Sequence, residues 1–188
     1  MRIEWVDRLL TVTATGRSAE PGEFDWSDTE RTLGAPLPAD FKELRRRFAE
    51  WGAFSDHVLV LEAQGDTESV LANYETLLRS VRGNPDNRRI FEPFGILGAN
   101  DESKGKGLVQ WGYSFIEEEY YWQADTSQEP ATWPVVARVD PLEPFQRFDM
   151  TASEFVYVCS RKPSSPHSVS RRRSRRPVTG PSEPPGIY

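Results

Sequence analysis

The sequence predicts an α+β domain with a mainly antiparallel β-sheet, flanked by N-terminal helices and closed by a C-terminal helix. Apolar residues recur at intervals of three and four in the first half of the chain, which is the spacing of one helix face. From Phe91 onward β-formers predominate and alternate with polar residues, and the run Thr151-Ala-Ser-Glu154 then matches a helix capping box. Helices on both sides of a run of strands are typical of the α+β class.

The N-terminal region is expected to contain two short elements. Residues 3–10 fit either a helix or a strand, because their apolar spacing is helical while their last positions read into a run of β-formers. A helix follows that Asp25 or Ser27 can cap, and Glu30 can complete a capping box with Ser27. Gly34 is expected to end this helix in the left-handed conformation.

Two longer helices come next. Pro38 suits the first turn of one of them, because its missing N–H has no helical partner to lose there, and Gly52 ends it. Asp66 is expected to cap the other, which runs to about Arg82 with Gly83 as its left-handed residue. Each helix has one apolar stripe, formed by Phe41, Leu44, Phe48 and Trp51 in the first and by Val70, Leu71, Tyr74, Leu77, Leu78 and Val81 in the second.

Short runs of β-formers predict the strands of the sheet. Glycine, proline and charged residues separate these runs, as turns between neighbouring antiparallel strands require. The predicted strands are Val58–Leu61, Phe94–Gly98, Gly107–Tyr113, Glu119–Ala124, Val135–Val139 and Phe145–Phe148.

The charge of the chain is divided unevenly. The formal net charge is −6, yet residues 161–188 hold seven Lys or Arg and one acid, a charge of +6, while residues 1–160 hold 16 basic and 28 acidic side chains, a charge of −12. We predict one domain over residues 1–160 and a disordered basic tail over residues 161–188. The tail is rich in Ser, Pro and Arg, so it has too little apolar surface to offset the entropy lost on ordering. An acidic body repels nucleic-acid phosphates and attracts basic proteins.

The composition favours a soluble cytoplasmic protein that does not enter a membrane. No apolar run approaches the ~20 residues that a membrane-spanning helix needs. The N-terminal apolar stretch contains acids and no small-residue cleavage site, unlike a secretory signal. The one cysteine, Cys159, has no internal disulfide partner, which fits a reducing compartment.

Residues suited to catalysis are sparse. His57 is the only histidine in residues 1–160, and no motif places a nucleophile and an orienting group beside it. We interpret His57 as a turn residue and Cys159 as a small buried side chain. One His and one Cys cannot form a closed zinc site, and the glycines do not match a phosphate-binding loop. We therefore predict a protein that is not an enzyme and needs no cofactor or metal; because carboxylates are plentiful, a hydrolytic pair such as Asp101 and Glu118 is an alternative.

The candidate site lies in the stretch from Trp111 to Trp122, where aromatic and acidic residues alternate. If one strand face packs on the core and the other meets solvent, the exposed face presents an aromatic ring beside carboxylates. Aromatic rings supply affinity, and acids steer a basic partner. In the alternative, the rings only pack the sheet and the glutamate run is a solvated turn. The expected protein-binding residues are Asp101, Glu102, Trp111, Glu117, Glu118, Glu119 and Tyr121.

Several short motifs follow one another in a characteristic order. They are Trp26, Glu30, Leu33-Gly34, Leu37-Pro38-Ala-Asp40-Phe41, Trp51-Gly52-Ala-Phe54, Phe94-Gly95-Ile-Leu-Gly98 with Asp101, Tyr120-Tyr121-Trp122, Trp133-Pro134-Val135-Val136 and Thr151-Ala-Ser-Glu154-Phe155. In this order they resemble the SUKH superfamily, which includes the Syd protein and fungal cell-wall assembly regulators, over residues 20–160. The resemblance implies an immunity protein that binds and neutralises a bacterial polymorphic toxin domain, often a nuclease or a nucleic-acid deaminase, without cofactor or reaction.

The partner expected from charge and resemblance together is a basic toxin domain. The alternative is a regulatory scaffold that uses the same surface on a housekeeping partner, as the fungal members suggest. Nucleic-acid binding is expected at most through the arginines of the tail, by counterion release. The tail is equally compatible with a solvated extension or with a segment that folds back on the acidic body. The sequence leaves the oligomeric state open.

Overall fold

A computed structural model describes residues 3–13, 21–48, 53–54, 58–63, 65, 68–99, 105–141 and 143–161. Within them the predicted α+β class is confirmed: six α-helices pack on a six-stranded antiparallel sheet. The helices are α1 (Glu4–Val12), α2 (Ser27–Leu33), α3 (Ala39–Arg47), α4 (Val70–Gly83), α5 (Pro85–Arg89) and α6 (Ala152–Ser160), with a 3-10 turn at Pro130–Thr132. The strands are β1 (Ala53–Phe54), β2 (Val58–Val60), β3 (Lys106–Tyr113), β4 (Glu119–Asp125), β5 (Val135–Arg138) and β6 (Gln146–Phe148).

The sheet is a meander in which each strand pairs with the next one along the chain. Its longest pair is β3–β4, where Val109 lies opposite Trp122 and Gly112 lies opposite Tyr120. A bulge between them adds Trp111 to β3, which turns the ladder locally. At Gly112 a Cβ atom would lie 2.7 Å from the carbonyl oxygen of Leu59, so β2 approaches β3 more closely there than any side chain permits.

Helices α1, α3 and α6 cover one face of the sheet, which carries an aromatic cluster. The ring of Phe41 on α3 meets Trp122 edge-on at 4.8 Å between centroids. On α6, Phe155 lies 5.9 Å from Trp111 and 5.2 Å from Tyr120. All five rings are buried, and their packing holds both helices on the sheet.

Helix α4 and the segment that follows α5 cover the opposite face. The side-chain amide of Asn73 on α4 donates to Oε1 of Gln110 on β3 at 2.8 Å. Beyond α5, the ring of Phe91 meets Tyr121 of β4 at 6.3 Å. The central strands are therefore enclosed between two layers of helix and turn.

The ends of the first helices follow the sequence in part. Residues 4–12 form a helix, and Gly34 ends α2 with φ 70° as expected. Glu30 does not form the capping box with Ser27; its carboxylate instead accepts from the backbone N–H of Leu37 at 2.8 Å. Pro38 precedes α3 as the N-cap residue rather than entering its first turn.

Helix α4 begins and ends differently from the prediction. Its N-cap is Ser69, whose Oγ accepts from the N–H of Ala72 at 3.1 Å. Gly83 is the last helical residue, and Asn84 then adopts an extended conformation. Because Pro85 disfavours a helical conformation in the residue before it, the chain leaves α4 at Asn84 and begins the unpredicted short helix α5.

The predicted strand Phe94–Gly98 is wrong. The segment is a series of turns, with φ 67° at Gly95 and φ 68° at Gly98, and these left-handed residues bend the chain away from an extended path. One isolated bridge, between Ile96 and Leu108, joins it to β3. Other predictions concern residues outside the described ranges: Trp51, Gly52, His57, Asp66, Asp101, Glu102 and the tail from Lys162 onward.

Candidate protein-binding surface

The expectation that one face of the aromatic strands is exposed is wrong. Trp111 and Tyr121 are both 0% exposed, and Glu118 is 1% exposed. Trp111 points to the layer of α1, α3 and α6, whereas Tyr121 packs against Phe91 and Phe145 on the other face. Because both faces of β3 and β4 are covered, these three side chains offer no surface to a partner.

Glu119 belongs to an ion pair inside the fold. Its carboxylate accepts from Nε of Arg138 on β5, and Arg138 is only 2% exposed. The guanidinium also donates to the carbonyl of Ile90 at 2.6 Å and lies over the rings of Phe91 and Phe145, 5.0 and 4.7 Å from their centroids. Glu119 therefore balances a buried cation.

The exposed apolar residues of this region lie in the turn between β3 and β4, which we call the hairpin tip (residues 114–118). Phe115 is 68% exposed and Ile116 is 51% exposed. Glu117 beside them is also exposed. The sequence signal was present, since two apolar residues stand between Ser114 and the acids, outside the predicted strands Gly107–Tyr113 and Glu119–Ala124, but the prediction assigned the aromatic part of the surface to the strands themselves.

Hydrogen bonds fix the shape of the hairpin tip. The Ser114 hydroxyl accepts from the N–H of Ile116 at 3.2 Å and from the N–H of Glu118 at 3.0 Å. The N–H of Ser114 donates to the carbonyl of Glu118 at 2.8 Å, and the N–H of Glu117 donates to the carbonyl of Ser114 at 3.2 Å. A turn closed in this way has little backbone conformational entropy left to lose on binding.

Glu118 anchors the hairpin tip to the core. Its carboxylate accepts from the Tyr120 hydroxyl at 2.6 Å. Burial raises the pKa of the Tyr120 hydroxyl, and the hydrogen bond to the Glu118 carboxylate raises it further. Tyr120 therefore stays a neutral donor, and its ring lies 5.6 Å from Trp111 within the aromatic cluster.

Glu117 has a backbone conformation that is unusual for its residue type. Its φ is 67°, the only positive φ among the described residues other than glycine. The left-handed conformation costs an L-residue about 1–2 kcal/mol relative to the right-handed one. The exposed Glu117 directly follows Ile116 in the turn.

A partly exposed tyrosine continues this surface along β3. Burial raises the pKa of the Tyr113 hydroxyl, and the carboxylates of Glu68 and Glu62 raise it further, so both acids lie within electrostatic range of the ring. Both glutamates are exposed. We use the term tip surface for the set Tyr113, Phe115, Ile116, Glu117, Glu62 and Glu68.

Some of the predicted residues fall where the structure gives no description. Asp101 and Glu102, like His57, lie outside the described residues. Cys159 is buried on α6, as interpreted from the sequence. Among the five expected binding residues that the structure describes, Glu117 is the exposed one.

Clefts elsewhere on the molecule are small and open. One of about 370 Å³ between α2 and α4 is lined by Asp25, Asp28 and Glu75, and hydrogen bonds from Ser27 lower the pKa of Asp25. Two of about 350 and 450 Å³ flank Trp133. In the ranges that the structure describes, no group of three or more His, Cys, Asp or Glu side chains is arranged to hold a metal ion. None of the described helices has the length and apolarity to cross a membrane.

Comparison with known proteins adds no assignment to this geometry. No family model, no curated protein and no solved structure matches the chain.

Proposed function

We propose that this chain is a non-catalytic binding protein whose tip surface docks on a basic protein, and that this partner is a bacterial toxin domain which the chain neutralises in the cytoplasm. The observation that carries the proposal is the exposed pair Phe115 and Ile116 on a turn held rigid by Ser114. When a partner buries neighbouring apolar side chains that are exposed on an ordered turn, the free energy of the complex falls, which favours binding.

The charge around the pair favours a basic partner. Glu117 adjoins it, and Glu62 and Glu68 flank Tyr113 two residues before Phe115. These acids belong to a body of charge −12. Such a surface accelerates encounter with a cationic protein and repels phosphate backbones.

The conformation of Glu117 also supports a binding role. A left-handed non-glycine residue is maintained against its backbone cost by the bonds around it. Glycine would adopt the same turn at lower cost. A role of the Glu117 carboxylate in binding a partner would account for a glutamate at this position.

The toxin as partner is supported by the resemblance to the SUKH superfamily. Two of the motifs that carry the resemblance are in contact: Ser153 of the closing helix motif donates two hydrogen bonds to Asp40 of the Leu-Pro-Ala-Asp-Phe motif. On the same basis we propose a basic nuclease or nucleic-acid deaminase as the toxin.

The test is co-expression with the product of the neighbouring gene in the source genome, which the proposal predicts to be a toxin domain. We expect the chain to restore growth and to co-purify with the toxin, and we expect the double variant Phe115→Ala, Ile116→Ala to do neither. The variant Ala131→Ser, at an exposed position far from the tip surface, is the control that should still protect. Failure of the wild-type chain to protect or bind would overturn the toxin assignment, and capture of a housekeeping protein by the same surface would favour the regulatory scaffold.

A further inference from the structure

Helix α6 directs the C-terminal part of the chain toward the hairpin tip. The helix begins close after Phe148, which lies opposite Val135 at the end of the sheet remote from the tip. Along its length Phe155 packs 5.2 Å from Tyr120. One residue before its end, the Cys159 thiol lies within electrostatic range of the Tyr120 hydroxyl, which bonds Glu118. The chain therefore leaves α6 at the tip end of the sheet.

The segment that continues from this point carries the opposite charge to the tip surface. Residues 161–188 have a charge of +6, and five of their arginines fall within residues 171–176. A coil of the eleven residues from Ser160 to Arg171 would span about 18 Å. The tether starts at the tip end of the sheet, the end at which Glu117 lies, and Glu68 immediately precedes α4 on the face opposite α6.

We propose that the arginine-rich segment of the chain's own tail, residues 171–176, binds the acids of the tip surface and competes there with other basic ligands. A short tether gives the segment an effective concentration in the millimolar range, so weak pairing with Glu117 and Glu68 suffices to occupy the surface. Pairs between exposed charges are screened by salt over about 10 Å at 0.1 M ionic strength, so the contact opens at high salt. The inference uses the surface of the proposed function but needs no toxin.

The experiment places a nitroxide spin label on the full chain through Ser174→Cys, between the arginines. The amide signals of residues 113–117 are then compared with those of residues 131–133 at the other end of the sheet. At about 20 mM salt we expect the tip signals to lose intensity by more than about twofold, and at about 500 mM salt we expect the loss to disappear. The wild-type chain treated with the same reagent corrects for any label at Cys159, which is buried.

Matched charge variants decide whether the acids hold the tail. Glu68→Gln with Glu117→Gln should abolish the loss of tip signals, whereas Glu129→Gln with Asp149→Asn, an equal change in charge at the remote end, should preserve it. Glu62 is kept because it faces the buried Arg45 guanidinium. Equal intensity at both ends at low salt, or a loss unaffected by the tip variants, would overturn the proposal. If the chain binds the toxin but shows no contact between tail and tip, the tail proposal fails and the proposed function stands. If the contact forms but the chain binds no toxin, the tail proposal stands and the proposed function fails.

Discussion

Asp40 and Ser153, which lie 113 residues apart in the chain, are joined by two buried hydrogen bonds. The Oδ2 atom of Asp40 on α3 accepts from the Ser153 N–H at 3.0 Å and from its hydroxyl at 2.8 Å. The Thr151 side chain accepts from the Glu154 N–H at 3.3 Å. The first turn of α6 thus receives one cap from its own sequence and one from α3, which satisfies N–H groups that the helix leaves unpaired.

Asp40→Ala should destabilise the fold by about 2–3 kcal/mol, because it leaves buried donors of Ser153 without their charged acceptor. The control is Asp28→Ala on α2, whose exposed carboxylate pairs only with exposed Arg31 and should change stability by less than about 0.5 kcal/mol. Urea denaturation of the two variants measures the difference. Equal midpoints would show that the Asp40 contact contributes nothing to the joining of α3 and α6.

Adjacent glutamates of the hairpin tip should have opposite roles. Glu118→Ala should cost about 2 kcal/mol, since the buried Tyr120 hydroxyl loses its acceptor. Glu117→Ala removes only an exposed side chain and should cost less than about 0.5 kcal/mol. Thermal and urea denaturation compare them directly. A Glu117 variant as unstable as the Glu118 variant would contradict the division between a buried anchor and an exposed contact.

The buried ion pair on the second face of the sheet should depend on both partners. Arg138→Met should cost about 3 kcal/mol because the Glu119 carboxylate is left partly buried without its cation. Adding Glu119→Leu to this variant should recover part of the loss. The coupling free energy from a double-mutant cycle in urea checks this, and strictly additive costs would rule out the pairing.

Stability should fall in alkaline solution because of two tyrosines. Burial raises the pKa of Tyr120 and of Tyr121, helped by Glu118 in the first and Glu119 in the second. Their neutral forms therefore stabilise the fold fully below the unfolded tyrosine pKa of about 10, and the stabilisation is lost as the pH rises above it. Absorbance at the tyrosinate band should show these groups ionising only together with unfolding. Their ionisation in a chain that is still folded would refute the burial.

Local sequence rules anticipated most of the fold. Capping at Thr151, the left-handed Gly34 and the two strands on either side of the hairpin tip are set by neighbouring residues, and the structure agrees there. The errors arose where a distant or adjacent element overrode the local pattern. Pro85 ends α4 at Asn84 instead of at a left-handed glycine, for example.

The proposed binding surface was predictable only in its location along the chain. Alternation in β4 cannot tell whether one face or both are covered, because that depends on α4 packing behind the sheet. Tyr121 and Trp111 were therefore assigned to a surface that does not exist. The exposed apolar pair lies between them in the chain, at residues 115–116, in the turn that connects β3 to β4 and leaves both side chains exposed.

The central claim is that Phe115 and Ile116 form the centre of the contact and that Glu117 and Glu68 steer its approach. Surface plasmon resonance with the toxin domain, at about 50 and 300 mM salt, separates the two roles. We predict that Phe115→Ala with Ile116→Ala raises the dissociation rate at least about tenfold. We further predict that Glu68→Lys with Glu117→Lys slows association and flattens its salt dependence. Dissociation unchanged by loss of the apolar pair would contradict the account.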